Sequence, residues 1–378
     1  MIRALPSLRS VERLLKKLLL TVLRGVFRPR RIPPVDPASF SRILVIRQHN
    51  QLGDMLCVTP LLRALREKFP GGFLALMTSP VNYDVMLHNG SLDEVVNFDK
   101  RDFLDDRGLH LIVFWRFIRS LRSRRFDLVI VPATVSTSVT SDLMAFLTGA
   151  RVRIGAGSIN GRPNPSSFFY THERALDWPE GVHRHQTERN LDIADLLSLS
   201  AADLTLELAL TREEREWGST MVRTMSGGRR PVVAYHVGAG KRPNRWPAGK
   251  FVSLIDAISR ETGTSSAIIS GPMDDGPVQE VVSRLSYGHY LVEKQSIRTV
   301  ASCLAAVDLL VSNDTGIMHV GAAVGTSVLS LFGPTDPTQW APCGVRNRYI
   351  VSRSGDMNDI TVDEVLQQVR DMLRSTGA

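Results

Sequence analysis

From Arg42 to Arg47 the chain reads Arg-Ile-Leu-Val-Ile-Arg, a β-branched apolar run of the kind buried on both faces of a parallel sheet. Further apolar runs predict strands at 73–77, 94–97, 128–131 and 152–154. Between them, apolar spacings of three and four predict helices from about 55 to Phe69, over 111–121 and over 141–147. Segment 155–180 is rich in Pro, Gly and Asn, shows no clear period and is expected to be loop. Helical patterns at 185–197 and 212–225 lead to a second alternation. Its strands are predicted at 231–237, 265–269, 309–312 and 327–332, its helices at 248–261, 278–285, 299–305, 318–324 and 361–374. Strand–helix alternation of this kind predicts an α/β class with two doubly wound, Rossmann-like halves. Ser-Gly-Gly at 226–228 breaks the pattern, so the domains expected are 38–225 and 226–378. In open α/β sheets ligands bind outside the carboxyl ends of the strands, so the halves should face one another across a cleft.

Residues 1–37 differ in kind. Val11, Leu14, Leu15, Leu18, Leu19, Val22, Leu23, Val26 and Phe27 form a helical stripe, Arg13, Lys16, Lys17 and Arg24 fall largely off it, and Pro33, Pro34 and Pro37 make a linker. Nine basic side chains against Glu12 alone, within the first 35 residues, account for the whole formal charge of +8. The rest of the chain is balanced, which argues against a nucleic-acid surface. No apolar stretch is long enough to span a bilayer. The leader, residues 8–31, is therefore expected to be an amphipathic helix on an anionic membrane surface, the alternative being a helix packed on the body or a neighbouring subunit. Cys57, Cys303 and Cys343 are scattered and lack zinc or disulfide spacing, which fits the cytoplasm.

Four loops at predicted strand ends could carry chemistry. Asn50-Gln51-Leu52-Gly53-Asp54 follows the first strand; Gly53 permits a close approach, and Asp54 serves equally well as a helix cap or as a catalytic carboxylate. Asp314-Thr315-Gly316 opens a helix that carries His319. Exposed amides at a helix start suit a diphosphate, although the residues alone favour a helix capped by Asp314 and Thr315, with His319 packed on the sheet. Gly238 lies in a glycine-rich turn ahead of Lys241, Arg242 and Arg245, which suits a phosphate or is only a solvated basic loop. Phe332-Gly333-Pro334 ends a strand and could wall a base pocket or be a rigid turn.

In this order the four loops resemble glycosyltransferase family 9, the heptosyltransferases of lipopolysaccharide core assembly. The resemblance runs over about 42–342 and is strongest in Leu-Gly-Asp with Thr-Pro-Leu-Leu-Arg-Ala-Leu at 59–65, and in Asn-Asp-Thr-Gly-x-x-His with Leu-Phe-Gly-Pro-Thr-Asp-Pro at 313–337. It implies a GT-B fold, an inverting transfer without metal or other cofactor, and a nucleoside-diphosphate sugar, ADP-heptose, held by the C-terminal half. It further implies a lipid-linked saccharide acceptor and a place on the inner face of the cytoplasmic membrane. Position by position, Asp54 matches the catalytic acid, and Asp314, Thr315, Gly316 and His319 match donor-binding residues. The family's usual lysine before Arg-Trp-Pro is Asn244 here, so either the cation's role passes to Lys241, Arg242 or Arg245 or the donor is held differently. A nucleotide-sugar hydrolase or epimerase could use the same two halves, and so could a non-catalytic nucleotide-sugar binder. A dinucleotide oxidoreductase is disfavoured because no GxGxxG opens either half.

Overall fold

The computed structural model describes residues 24–25, 35–48, 51–105, 108–178, 183–263 and 266–375. The amphipathic leader, apart from residues 24–25, and Asn50 lie outside the described residues.

The first half runs β1 (Arg42–Arg47), α1 (Leu52–Leu56), α2 (Thr59–Lys68), β2 (Phe73–Thr78), α3 (Pro80–Met86), β3 (Glu94–Asn97), α4 (Leu111–Ser123), β4 (Leu128–Val131), α5 (Val139–Leu147), β5 (Val152–Ile159), β6 (Arg162–Pro163) and β7 (His172–Leu176). The sheet order is β3-β2-β1-β4-β5-β6, with β7 also pairing to β5. Pairing is parallel except between β5 and β6. Ile43 to Ile46 of β1 are buried, as expected of a central parallel strand covered on both faces.

The expected loop at 155–180 is a correction: about half of it is sheet. β5 continues to Ile159, and β6 and β7 extend the edge. Gly155 sits under the ring of Tyr170, where an added Cβ would lie 1.9 Å from the ring carbon, so small residues there mark close packing rather than a loop. Tyr170, Ser166 and Asn164 all donate to the buried Asp142 carboxylate and pin the excursion down.

After α6 (Gln186–Asp192) and α7 (Arg212–Ser226), the second half runs β8 (Val233–His236), α8 (Ala248–Thr262), β9 (Ser266–Ile269), α9 (Asp275–Val282), β10 (His289–Val292), α10 (Ile297–Leu304), β11 (Leu309–Asn313), α11 (Gly316–Ala323), β12 (Ser327–Phe332), β13 (Asn347–Val351) and α12 (Val362–Ser375). Its sheet, β10-β9-β8-β11-β12-β13, is parallel throughout. The hairpin-free edge strands β10 and β13 were not among the expected strands. In each half the strand order reverses beside the first strand, at β1/β4 and at β8/β11, which are the points where such sheets bind ligands.

One apolar cluster joins the halves, running from Met55, Leu56 and Leu61 to Met318 and Val320. A buried arginine reinforces it. Arg298 of α10 donates to the carbonyls of Asp84 and Leu87 at the end of α3, to the Ala209 carbonyl and to Glu214 of α7.

Candidate functional site

Asp54 lies inside α1, since the helix begins at Leu52 rather than near Met55. It caps nothing. The exposed Gln51 stands at the N-cap without a side-chain bond, and the Asp54 carboxylate turns back to β1, where Arg47 Nη2 donates to Oδ1 at 3.1 Å. Both side chains are almost fully buried. Arg47 also donates to the Pro132 carbonyl at 2.8 Å, and Thr134 Oγ1 lies 3.5 Å away. Burial draws the guanidinium below its ordinary value, against the opposing pull of Asp54. A buried cation tied at both ends fixes the carboxylate in one orientation. The sequence held one signal for this partner: an arginine closing an otherwise apolar strand.

The second loop faces the first. A Cβ on Gly53 would fall 2.6 Å from Cδ2 of the His319 ring, and one on Gly316 would fall 3.0 Å from Cβ of Leu52. The starts of α1 and α11 are therefore in direct contact, which brings the Leu-Gly-Asp turn and the Asp-Thr-Gly turn to one place. His319 is buried, its Nδ1 has no hydrogen-bond partner among the described residues, and its ring stands edge-on to Trp340. Burial, with His185 nearby, pushes it down to about 3, so the imidazole is neutral.

The capped-helix reading of the second loop does not describe what is found. Thr315 occupies the N-cap of α11 but makes no cap bond. Its Oγ1 lies 3.2 Å from His236 Nδ1 at the end of β8, and His236 Nε2 lies 3.0 Å from Asp274 Oδ2. Asp274 lies over Gly238, where an added Cβ would meet Oδ1 at 1.9 Å, and accepts from the Gly271 amide at 2.8 Å. Burial works to raise the Asp274 carboxyl, but His236 and the Gly271 amide outweigh it and hold it below its ordinary value. A carboxylate, an imidazole and a hydroxyl thus form a line ending at the start of α11, whose first amides no side chain caps among the described residues. Asp274 was missed in the sequence because Met273-Asp274-Asp275 belongs to no motif.

Asp314 is held from the third loop. Asn244 Nδ2 donates to Asp314 Oδ2 at 2.8 Å and lies 3.3 Å from Thr335 Oγ1. Burial raises the Asp314 carboxyl, while Thr335 and Lys241 act to lower it. Lys241 is exposed; Arg245 is partly buried and donates to the Ala239 carbonyl at 2.8 Å. Phe332 is fully buried against Tyr349 and has no surface to offer a base, whereas Pro334, beyond the buried Gly333, is exposed. A cavity of about 720 Å³ lies beside this turn region, lined by Arg242, Arg245, Pro277 and Met357 among others, but it does not include Asp314 or Thr315. The contact of α1 with α11 therefore locates the site better than this cavity does. On the first half a cavity of about 380 Å³ opens at the strand ends, lined by Gln48, Ser79, Phe98 and Lys100 among others. Among the described residues no three His, Cys, Asp or Glu side chains gather as metal ligands, and no helix is long and apolar enough to cross a membrane.

Comparison with known proteins agrees with this architecture. The family described as glycosyltransferase family 9 (heptosyltransferase) matches residues 114–369. Lipopolysaccharide heptosyltransferase 2 of Salmonella typhimurium is 24% identical over 363 residues, covering 89% of this chain and 99% of its own length. The protein of the same name from Escherichia coli K12 is 24% identical over 359 residues, covering 88% and 98%. The solved structure of a family 9 glycosyl transferase from Veillonella parvula matches with a TM-score of 0.77 and 20% identity, over 90% of this chain and 99% of that one. E. coli ADP-heptose lps heptosyltransferase II matches at 0.72 and 21%, over 89% and 100%, so the fold is the two-domain GT-B fold. With its family model covering most of the chain and its fold shared with these structures, the protein belongs to glycosyltransferase family 9 and is a glycosyltransferase.

Proposed function

We propose that the protein transfers a heptosyl group from ADP-heptose to a lipopolysaccharide core or related membrane glycolipid, by one inverting displacement without a metal. Residues 38–225 take the acceptor and residues 226–378 the donor. The relatives' names supply the sugar; the residues supply the mechanism. The acceptor hydroxyl attacks the anomeric carbon from the side opposite the nucleotide, its proton passes to Asp54, and the C–O bond to the diphosphate breaks. General-base catalysis of this kind contributes about 10²- to 10⁴-fold. Arg47 keeps Asp54 aimed. The leaving diphosphate gains negative charge, and the uncapped amides at the start of α11 stabilise it together with the Thr315 hydroxyl, Lys241 and Arg245. The enzyme works in the cytoplasm, and its basic leader holds it to the inner membrane face.

The observation that carries this reading is the packing of Gly53 under His319, because it sets the candidate base next to the candidate diphosphate site. The test is Asp54→Asn. It should remove most turnover while ADP-heptose still raises Tm as it does for the parent chain. Near-normal turnover would reject Asp54 as the base; failure of the parent to release ADP only when acceptor is present would reject transfer.

A further inference from the structure

Helix α4 has a surface that the catalytic reading leaves unused. Its inner side is ordinary: Ile118 and Leu121 are buried, and Phe114 and Phe117 pack with Phe98 and Phe103 against the first sheet. The outer side is not. Ile112 is 72% exposed and Trp115 60%, with Leu111 and Leu104 also open to solvent. Positions 112, 115, 116, 119 and 122 recur at three- and four-residue steps, so they share the outer side. The first turn of that side is thus apolar, and Arg116, Arg119 and Arg122, all exposed, continue it. No Asp or Glu occurs from 111 to 125; Arg124 turns inward to Glu94, and the exposed Arg122 reaches over Gly149.

Exposed tryptophan and isoleucine cost free energy in water, and an arginine row beside them without acids fits an anionic surface better than a mixed-charge protein face. Tryptophan suits the boundary of a bilayer, where its ring is apolar and its N–H stays wet. The placement also agrees with the chemistry. α4 follows β3 and leads into β4, so its first turn lies at the carboxyl edge of the sheet, the edge that also carries Gly53 and Asp54.

We propose that the outer side of α4 is a membrane-docking surface of the folded body, taking an anionic phospholipid bilayer, with Ile112 and Trp115 at the headgroup boundary and Arg116, Arg119 and Arg122 on the phosphates. It rests on the reading above only in that a membrane-borne acceptor gives docking its use. It is separate from the leader, which contains no tryptophan.

The full-length chain is mixed with vesicles of phosphatidylglycerol and phosphatidylethanolamine containing brominated acyl chains, and binding is followed by tryptophan quenching and co-sedimentation. Quenching should occur in the parent and be largely lost in Trp115→Phe. Replacing Arg116, Arg119 and Arg122 together by Gln should weaken partitioning about a hundredfold, at roughly fivefold for each basic residue near such a surface. Equal quenching of the parent and Trp115→Phe, or unchanged partitioning of the triple variant, overturns the proposal. So does a dimer, seen by analytical ultracentrifugation, that dissociates on Ile112→Ser. Transfer to a detergent-dispersed acceptor is measured in parallel. Both variants should keep it, and its absence from the parent chain would refute the proposed reaction, not the docking.

Discussion

Gly53→Ala inserts one methyl group where the two halves touch. Its carbon would sit 2.6 Å from Cδ2 and 2.8 Å from Nε2 of His319, against a comfortable separation of about 3.5–4.0 Å. The ring is only 2% exposed and cannot swing away, so α1 must retreat from α11 by about 1 Å. Overpacking of this kind costs roughly 1–3 kcal/mol, and at about 2–4 °C per kcal/mol the Tm should fall by several degrees. The consequence for turnover should be larger. Asp54 is the next residue, and a displacement of about 1 Å between catalytic groups can cost on the order of 10²-fold. Thermal unfolding by circular dichroism and steady-state turnover read the two effects separately. Adding His319→Ala makes room for the methyl group, so the double variant should be more stable than the sum of the single changes predicts, by about 1 kcal/mol or more. A Gly53→Ala protein with the parent's Tm and turnover, or a double-mutant cycle without coupling, would refute the packing argument.

Three further outcomes are expected. Asp274→Asn leaves His236 without a carboxylate acceptor and Thr315 less firmly held, so the KM for donor should rise about tenfold with a smaller change in kcat, as charge-assisted hydrogen bonds are worth about 1.5–3 kcal/mol; an unchanged KM would count against the relay. His319 is pushed down to about 3 in the folded protein, whereas an unfolded histidine titrates near ~6.5, so its contribution to stability is complete above that value and is lost as pH falls toward 3. His319→Gln should flatten the urea midpoint over that interval, and a curve parallel to the parent's would refute the assignment. Glu214 is held below its ordinary carboxyl value, chiefly by Arg298, so its contribution is full above ~4.3 and disappears at lower pH; Glu214→Gln should destabilise the protein at neutral pH and lose that penalty in acid, and an equal penalty at both would be the contrary result.

Much of this protein was legible in its sequence because the deciding physics is local. The apolar run of β1, the helical spacing of α2 and α8 and the strand–turn–helix at 309–323 each follow from short-range periodicity, and together they specify two wound halves and the loops at their strand ends. The edge strands β10 and β13 escaped because they mix exposed and buried positions, so no apolar run announces them. β5 beyond Gly155 escaped because its small residues answer to Tyr170, a neighbour supplied by the fold. The partners within the site were equally out of reach. That Thr315 would leave its own helix for His236 and Asp274, and that His319 would lie across Gly53, are matters of which groups meet when segments far apart in sequence become adjacent; Arg47 and Asp54 are only seven residues apart, but their pairing depends on how α1 folds back on the end of β1. Sequence spacing determines where a side chain leaves the backbone; only tertiary packing decides which buried group it must satisfy, because the cost of an unpaired polar atom is set by what surrounds it.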